Sequence, residues 1–105
     1  MASILTSWQE KDFNEFVAAK GSGLVEFVAP WCGACKMMEP MVAEIATNNA
    51  DKTIVKIDVS QNQTLASKMG VMSLPNLLVI KEGKVVDQLI GSSTKKAIED
   101  KLQKI

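Results

Sequence analysis

LVEFVAPWCGACK, residues 24–36, decides the reading. Its first half, Leu24 to Ala29, is a short apolar run rich in Val and Phe. Gly21-Ser22-Gly23 precedes the run and Pro30 closes it, so it reads as a buried strand. Its second half opens a helical pattern. Cys35, Met38, Val42 and Ile45 fall on one face of a segment running from Cys32 or Gly33 to about Asn49. Two cysteines three apart therefore stand where a strand hands over to a helix. Free N–H groups and the macrodipole at a helix start favour negative charge. A cysteine there has its thiolate stabilised, and the thiolate is the nucleophile of disulfide exchange. The second cysteine, one turn on, is near enough to close a disulfide without large backbone movement.

These positions assign roles. Cys32 is the exposed attacker, which forms a mixed disulfide with a substrate. Cys35, facing the core, attacks Cys32 and releases the reduced substrate. A buried thiol ionises reluctantly, so Cys35 needs a base. Glu26, the one charged residue in its strand, is the candidate proton relay. Burial under the helix would raise its pKa toward the useful range, whereas an edge position would turn it to solvent, and the pattern leaves both open. Gly33 leaves room for the tight helix entry and for substrate. Trp31, in a loop beside the nucleophile, is expected to line a surface rather than the core. Met37, Met38 and Met41 read as core and helix-surface filler. A zinc or iron–sulfur site is the competing use of such a pair. The chain has two cysteines and no histidine, so that site would need two chains or foreign ligands. An inert structural disulfide is a second competitor, but so short a loop adds little stability.

Composition bounds the rest. A chain of 105 residues is one domain by size, residues 1–105, and can bury a core without staples. Twelve basic and twelve acidic residues cancel, which gives no electrostatic argument for nucleic acid or an anionic membrane. Residues 1–16, MASILTSWQEKDFNEF, lack the early basic residues and apolar run of a signal peptide. No stretch approaches the ~18 apolar residues of a spanning helix. A cytoplasmic protein is expected.

Further strands are expected at 53–59, 77–80 and 84–90, the last two forming a hairpin around Glu82-Gly83. A weak signal marks another at 3–6. Helices are expected at 8–19, with Ser7 and Glu10 as a capping box, at 62–69 ending at Gly70, and at 94–104 burying Ile98, Leu102 and Ile105. Pro40 should kink the long helix. Strands alternating with helices imply parallel pairing, and the closing hairpin makes the sheet mixed.

Several motifs in order, LVEFVAPWCGACK at 24–36, Pro40, KIDV at 56–59, SLPNLLVIKEGK at 73–84 and Gly91, resemble the thioredoxin family from about Phe13 to the last helix. The resemblance implies an α/β thioredoxin fold, a central five-stranded mixed β-sheet flanked by four α-helices. It implies a protein-disulfide reductase acting on cytosolic proteins through a Cys32–Cys35 redox disulfide, with a cis bond between Leu74 and Pro75. Trp31, Gly33, Ala34, Leu74, Pro75 and Gly91 would form the substrate surface, with Leu74 pairing to an extended segment. Lys56 would tune Glu26 by charge. The family needs no bound cofactor or metal. Its partners are disulfide-containing proteins and a thioredoxin reductase, which draws electrons from NADPH through a flavin or, alternatively, from ferredoxin. A monomer is expected. The sequence departs from the family at four places: Ala34 stands for the usual Pro, Glu26 for Asp, Val28 for Trp, and Asn76 for Thr. The competing functions are an oxidase or isomerase of the same fold, and a binding scaffold whose redox pair is incidental.

Overall fold

The computed structural model describes residues 5–105. Their elements are β1 (Thr6–Trp8), α1 (Glu10–Ala18), β2 (Gly23–Val28), α2 (Gly33–Asn48), β3 (Thr53–Asp58), α3 (Gln63–Lys68), β4 (Asn76–Lys81), β5 (Lys84–Ile90) and α4 (Lys95–Leu102). The five strands form one mixed sheet in the order β1-β3-β2-β4-β5. β1 and β2 pair parallel with β3, whereas β4 pairs antiparallel with β2 and with β5.

β2 sits at the centre, so both of its faces are covered and its run of Gly23 to Phe27 is buried throughout. Side chains alternate across a strand. Leu24 accordingly joins Ile54, Leu77, Val79, Val42, Ile45, Ile98 and Leu102 on the face covered by α2 and α4. Val25 and Phe27 join Val55, Ile57, Leu78, Ile80, Phe13 and Leu65 on the face covered by α1 and α3. Glu26 shares parity with Leu24 and is paired in register with Lys56 on one side and Leu77 on the other. It therefore lies on the α2 face, within the core.

The hairpin forms as its turn residues dictate. Glu82 and Gly83 both take positive φ, 51° and 79°, the geometry that matches strand twist in a two-residue turn. A side chain at Gly83 would stand 2.5 Å from the Val17 carbonyl oxygen, so the turn can also pack against the end of α1.

Three expectations need correction. α1 begins at Glu10, not near residue 8, because Trp8 belongs to β1 and pairs with Ile57. Its cap is Gln9, whose N–H donates to the Asp12 carboxylate at 2.9 Å, so Ser7 and Glu10 do not form the capping box. The strand expected at 3–6 begins at Thr6 instead; residues 3 and 4 lie outside the described residues. Elsewhere element ends move by one or two residues, and α2 continues through Pro40.

Asn62, buried at the start of α3, ties these layers together. Its side-chain oxygen accepts from the Glu10 N–H at 2.9 Å, and its amide donates to the Asp58 carbonyl at 2.9 Å and to Gln9 at 3.1 Å. One side chain thus fixes the start of α1 against the β3–α3 turn.

Candidate active site

Pro30 and Trp31 turn the chain out of β2, and Cys32 becomes the N-cap of α2. Cys32 is extended at φ −86° and ψ 102°, and its Sγ accepts a hydrogen bond from the Cys35 N–H at 3.1 Å. The sulfur therefore occupies the place of a capping oxygen, where helix N–H groups converge. Cys32 and Cys35 are joined in a disulfide with their Cα atoms 5.3 Å apart. Cys35 is buried among the side chains of the helix underside, whereas Cys32 keeps access to solvent. Among the described residues, no cluster of three or more potential ligands gathers around the pair to hold a metal.

Trp31 is 70% exposed and stands at the edge of an open groove of about 600 Å³. Cys32, Val59, Val71, Met72 and Leu74 line that groove. The Leu74–Pro75 peptide is cis. Neither main-chain group of Leu74 finds a hydrogen-bond partner among the described residues. Gly91, at φ 83°, donates its N–H to the Pro75 carbonyl at 2.8 Å and so pins the loop to the end of β5. No atom lies within 4 Å of where a side chain would stand at Gly33 or Gly91, so both leave open space. Asn76 is buried and accepts from the Gln88 amide at 3.0 Å, which braces the first residue after Pro75 across to β5.

Glu26 is buried, which excludes the solvent-facing alternative. Its Oε2 has no hydrogen-bond partner among the described residues. Burial, joined by the negative charge of Glu39 and opposed by Lys56, pushes its carboxyl up from 4.5 to about 7. The Lys56 ammonium is itself engaged elsewhere: Nζ donates to Glu39 Oε1 at 3.2 Å.

Sequence reasoning missed Glu39, and also the groove walls Val59, Val71 and Met72. The signal for Glu39 was present. It lies four residues after Cys35, so it falls at the edge of the inward stripe of α2, next to the buried Met38. Met72, 94% exposed in a loop, carried no pattern at all. Of the three α2 methionines, Met38 is buried, Met41 packs against the core and Met37 is exposed.

Ala34 is the second residue of α2 and exposed, and unlike proline it keeps its N–H at the helix start. That donor favours the Cys32 thiolate and hence the reduced state. Ala34→Pro should therefore lower the reduction midpoint by on the order of 30 mV, which is ~1.4 kcal/mol for two electrons. A titration in glutathione buffers beside the parent protein measures it, and identical midpoints would refute the role given to the N–H.

Residues 4–104 match the family model described as Thioredoxin. The chain is 47% identical over 87 residues to a thioredoxin of Bacillus subtilis (strain 168), covering 82% of this chain and 84% of that protein. It is 39% identical over 94 residues to a thioredoxin of Alicyclobacillus acidocaldarius, covering 89% and 90%. Among solved structures, a thioredoxin from Nicotiana alata superposes with a TM-score of 0.86 at 32% identity, covering 99% of this chain and 94% of that one. The oxidised mitochondrial thioredoxin 3 of Saccharomyces cerevisiae gives 0.86 at 25% identity, covering 96% and 95%.

Proposed function

We propose, from the premise that this chain belongs to the thioredoxin family and is a protein thiol–disulfide oxidoreductase, that Cys32 is its nucleophile, Cys35 its resolving thiol and Glu26 the proton relay between Cys35 and solvent. The observation that carries the reading is the placement of Cys32 Sγ as the cap of α2, 3.1 Å from a helix N–H, with Cys35 buried one turn behind.

The chemistry balances in two exchanges. The Cys32 thiolate attacks one sulfur of a substrate disulfide, a mixed disulfide forms, and the other substrate sulfur leaves as a thiolate. Cys35 gives its proton to Glu26 and attacks Cys32 Sγ. The Cys32–Cys35 disulfide forms and the second substrate sulfur leaves. Two electrons pass to the substrate. A carboxyl near pH 7 divides evenly between its two forms at neutrality, which suits a group that must both take and give a proton.

Recognition is mainly through the backbone. An extended segment beside the disulfide pairs with the free N–H and C=O of Leu74, as an added strand would. Trp31 and Pro75 flank it, and Gly33, Ala34 and Gly91 leave it room. Main-chain pairing asks little of side chains, so the substrates are protein disulfides of many sequences. The protein works as a monomeric single domain in the cytoplasm. It binds no cofactor of its own and is recharged by NADPH through a flavin thioredoxin reductase. Among the described residues no helix is long and apolar enough to cross a membrane.

One experiment tests both parts. The oxidised protein is incubated with NADPH and a bacterial flavin thioredoxin reductase, then alkylated with iodoacetamide at pH 7. Both thiols should appear, with Cys32 labelled at least ~10-fold faster than Cys35. No released thiol would defeat the electron source. Equal, slow labelling would defeat the assignment of nucleophile and resolver.

A further inference from the structure

A second hollow, of about 320 Å³, borders Cys35 and shares no lining residue with the substrate groove. Val28, Cys35, Glu39, Lys56, Asp58 and Gln61 line it. Val28 and the buried Cys35 both border it. Glu26 stands two residues before Val28 on the same face of β2, with Lys56 as its in-register neighbour on β3. That pairing would bring an ammonium to the buried carboxylate. It does not do so here: Lys56 Nζ rises to α2 and donates to Glu39 Oε1 at 3.2 Å, and Glu26 Oε2 keeps no partner among the described residues.

We propose that Glu39 is a positioning residue for the exchange: its carboxylate draws the Lys56 ammonium up to the helix and leaves the Glu26 carboxyl beneath without a cation partner of its own. The proposal deepens the relay reading of Glu26 and rests on it for its catalytic consequence. Physically, two effects of Glu39 act in one direction. Its own negative charge opposes ionisation of Glu26, and its hold on Lys56 weakens the one contact that would favour ionisation. Glu39 thereby sets how far the relay is protonated at neutral pH.

The other charges around this point do not replace it. On α2, Lys36 borders the hollow but is exposed, and Cys35 is neutral while oxidised. On β3, Asp58 is turned to the Ser60 N–H and hydroxyl at 2.8 and 2.6 Å. β4 offers Leu77, and α4 packs on this face through Ile98 and Leu102. Glu44, farther along α2, is paired with Lys95 on the exposed side.

The test follows the Glu26 side-chain carboxyl by carbon-13 NMR across pH in the oxidised protein, where no thiol titrates. Glu39→Gln should lower the Glu26 midpoint by ~0.5 to 1 pH unit. Lys56→Met should raise it, and Glu44→Gln should leave it in place. An unchanged or raised midpoint in Glu39→Gln, or an equal fall in Glu44→Gln, would overturn the proposal. The rate of mixed-disulfide resolution is then measured against pH in the same variants. If the NMR midpoint moves and the resolution profile does not, Glu39 still positions Lys56, and it is the relay reading of Glu26 that fails.

Discussion

Cys32→Ser should bring insulin reduction by dithiothreitol down to the rate of the dithiothreitol alone, and Cys35→Ser should stop the reaction halfway with the substrate still attached. The two losses differ because the two sulfurs differ in place. Cys32 caps α2 and is reachable from the groove beside Trp31, so its removal leaves no attacking sulfur. Cys35 is buried and cannot meet a folded substrate, so it cannot take over. In Cys35→Ser the first exchange proceeds, and the mixed disulfide then lacks its intramolecular resolver. Resolution by a neighbour held at a Cα separation of 5.3 Å has an effective concentration far above that of any added thiol. The adduct should therefore accumulate and be visible by intact mass, and turnover should fall by on the order of 10³-fold. Neither change should unfold the chain, since the pair closes only a short loop and contributes little to stability. Turnover of Cys35→Ser near that of the parent, with no adduct, would remove the resolving role. A parent protein no faster than dithiothreitol alone would point instead to the scaffold reading.

The contrast between what the chain announced and what it hid follows from the range of the interactions involved. β2 and α2 were legible because everything that defines them is local: glycines before the strand, a proline after it, and an apolar stripe at helical spacing that begins at the cysteines. β1 was misplaced for the opposite reason. Thr6 to Trp8 is a short edge strand with two exposed residues and no alternation, held by pairing with β3 some fifty residues away. Trp8 was then absorbed into the helical pattern that follows it. The placement of Glu26 could not be read from β2 alone, because a single acid in an apolar run looks the same at an edge and at a centre. The strand order decides it, and strand order is a long-range property. The Glu39–Lys56 pair is of the same kind, joining a helix to a strand across seventeen positions. Motif residues such as Cys32, Cys35 and Trp31 carry their chemistry in immediate neighbours. The groups that tune them are brought together only by the fold.

Glu26→Leu should make the protein more stable, and more so as the pH rises. The folded state holds the Glu26 proton up to about pH 7, while the unfolded chain releases it near 4.5. Between those values the folded state binds more protons than the unfolded state, so the Glu26 contribution to stability declines as pH rises through that window. Above it the ionised, buried carboxylate costs the fold a constant ~3 kcal/mol, from 1.36 kcal/mol for each pH unit of separation. Leucine fills a similar volume on a strand face that already carries Leu24 and the in-register Leu77, and it removes an oxygen that has no partner. The gain over the parent should be larger at pH 8 than at pH 4 by ~3 kcal/mol, or ~12 °C in Tm for a domain of this size. Denaturant unfolding of both proteins from pH 4 to 8 measures it, and titrating groups not coupled to Glu26 cancel in the difference. A gap that stays flat with pH would show that Glu26 ionises as freely in the fold as in the open chain. The same substitution should slow mixed-disulfide resolution, because Cys35 would lose its proton to water alone. A residue that weakens the fold at the pH where it works is retained for its chemistry, and the two measurements on one variant, stability up and resolution down, would place Glu26 in that class.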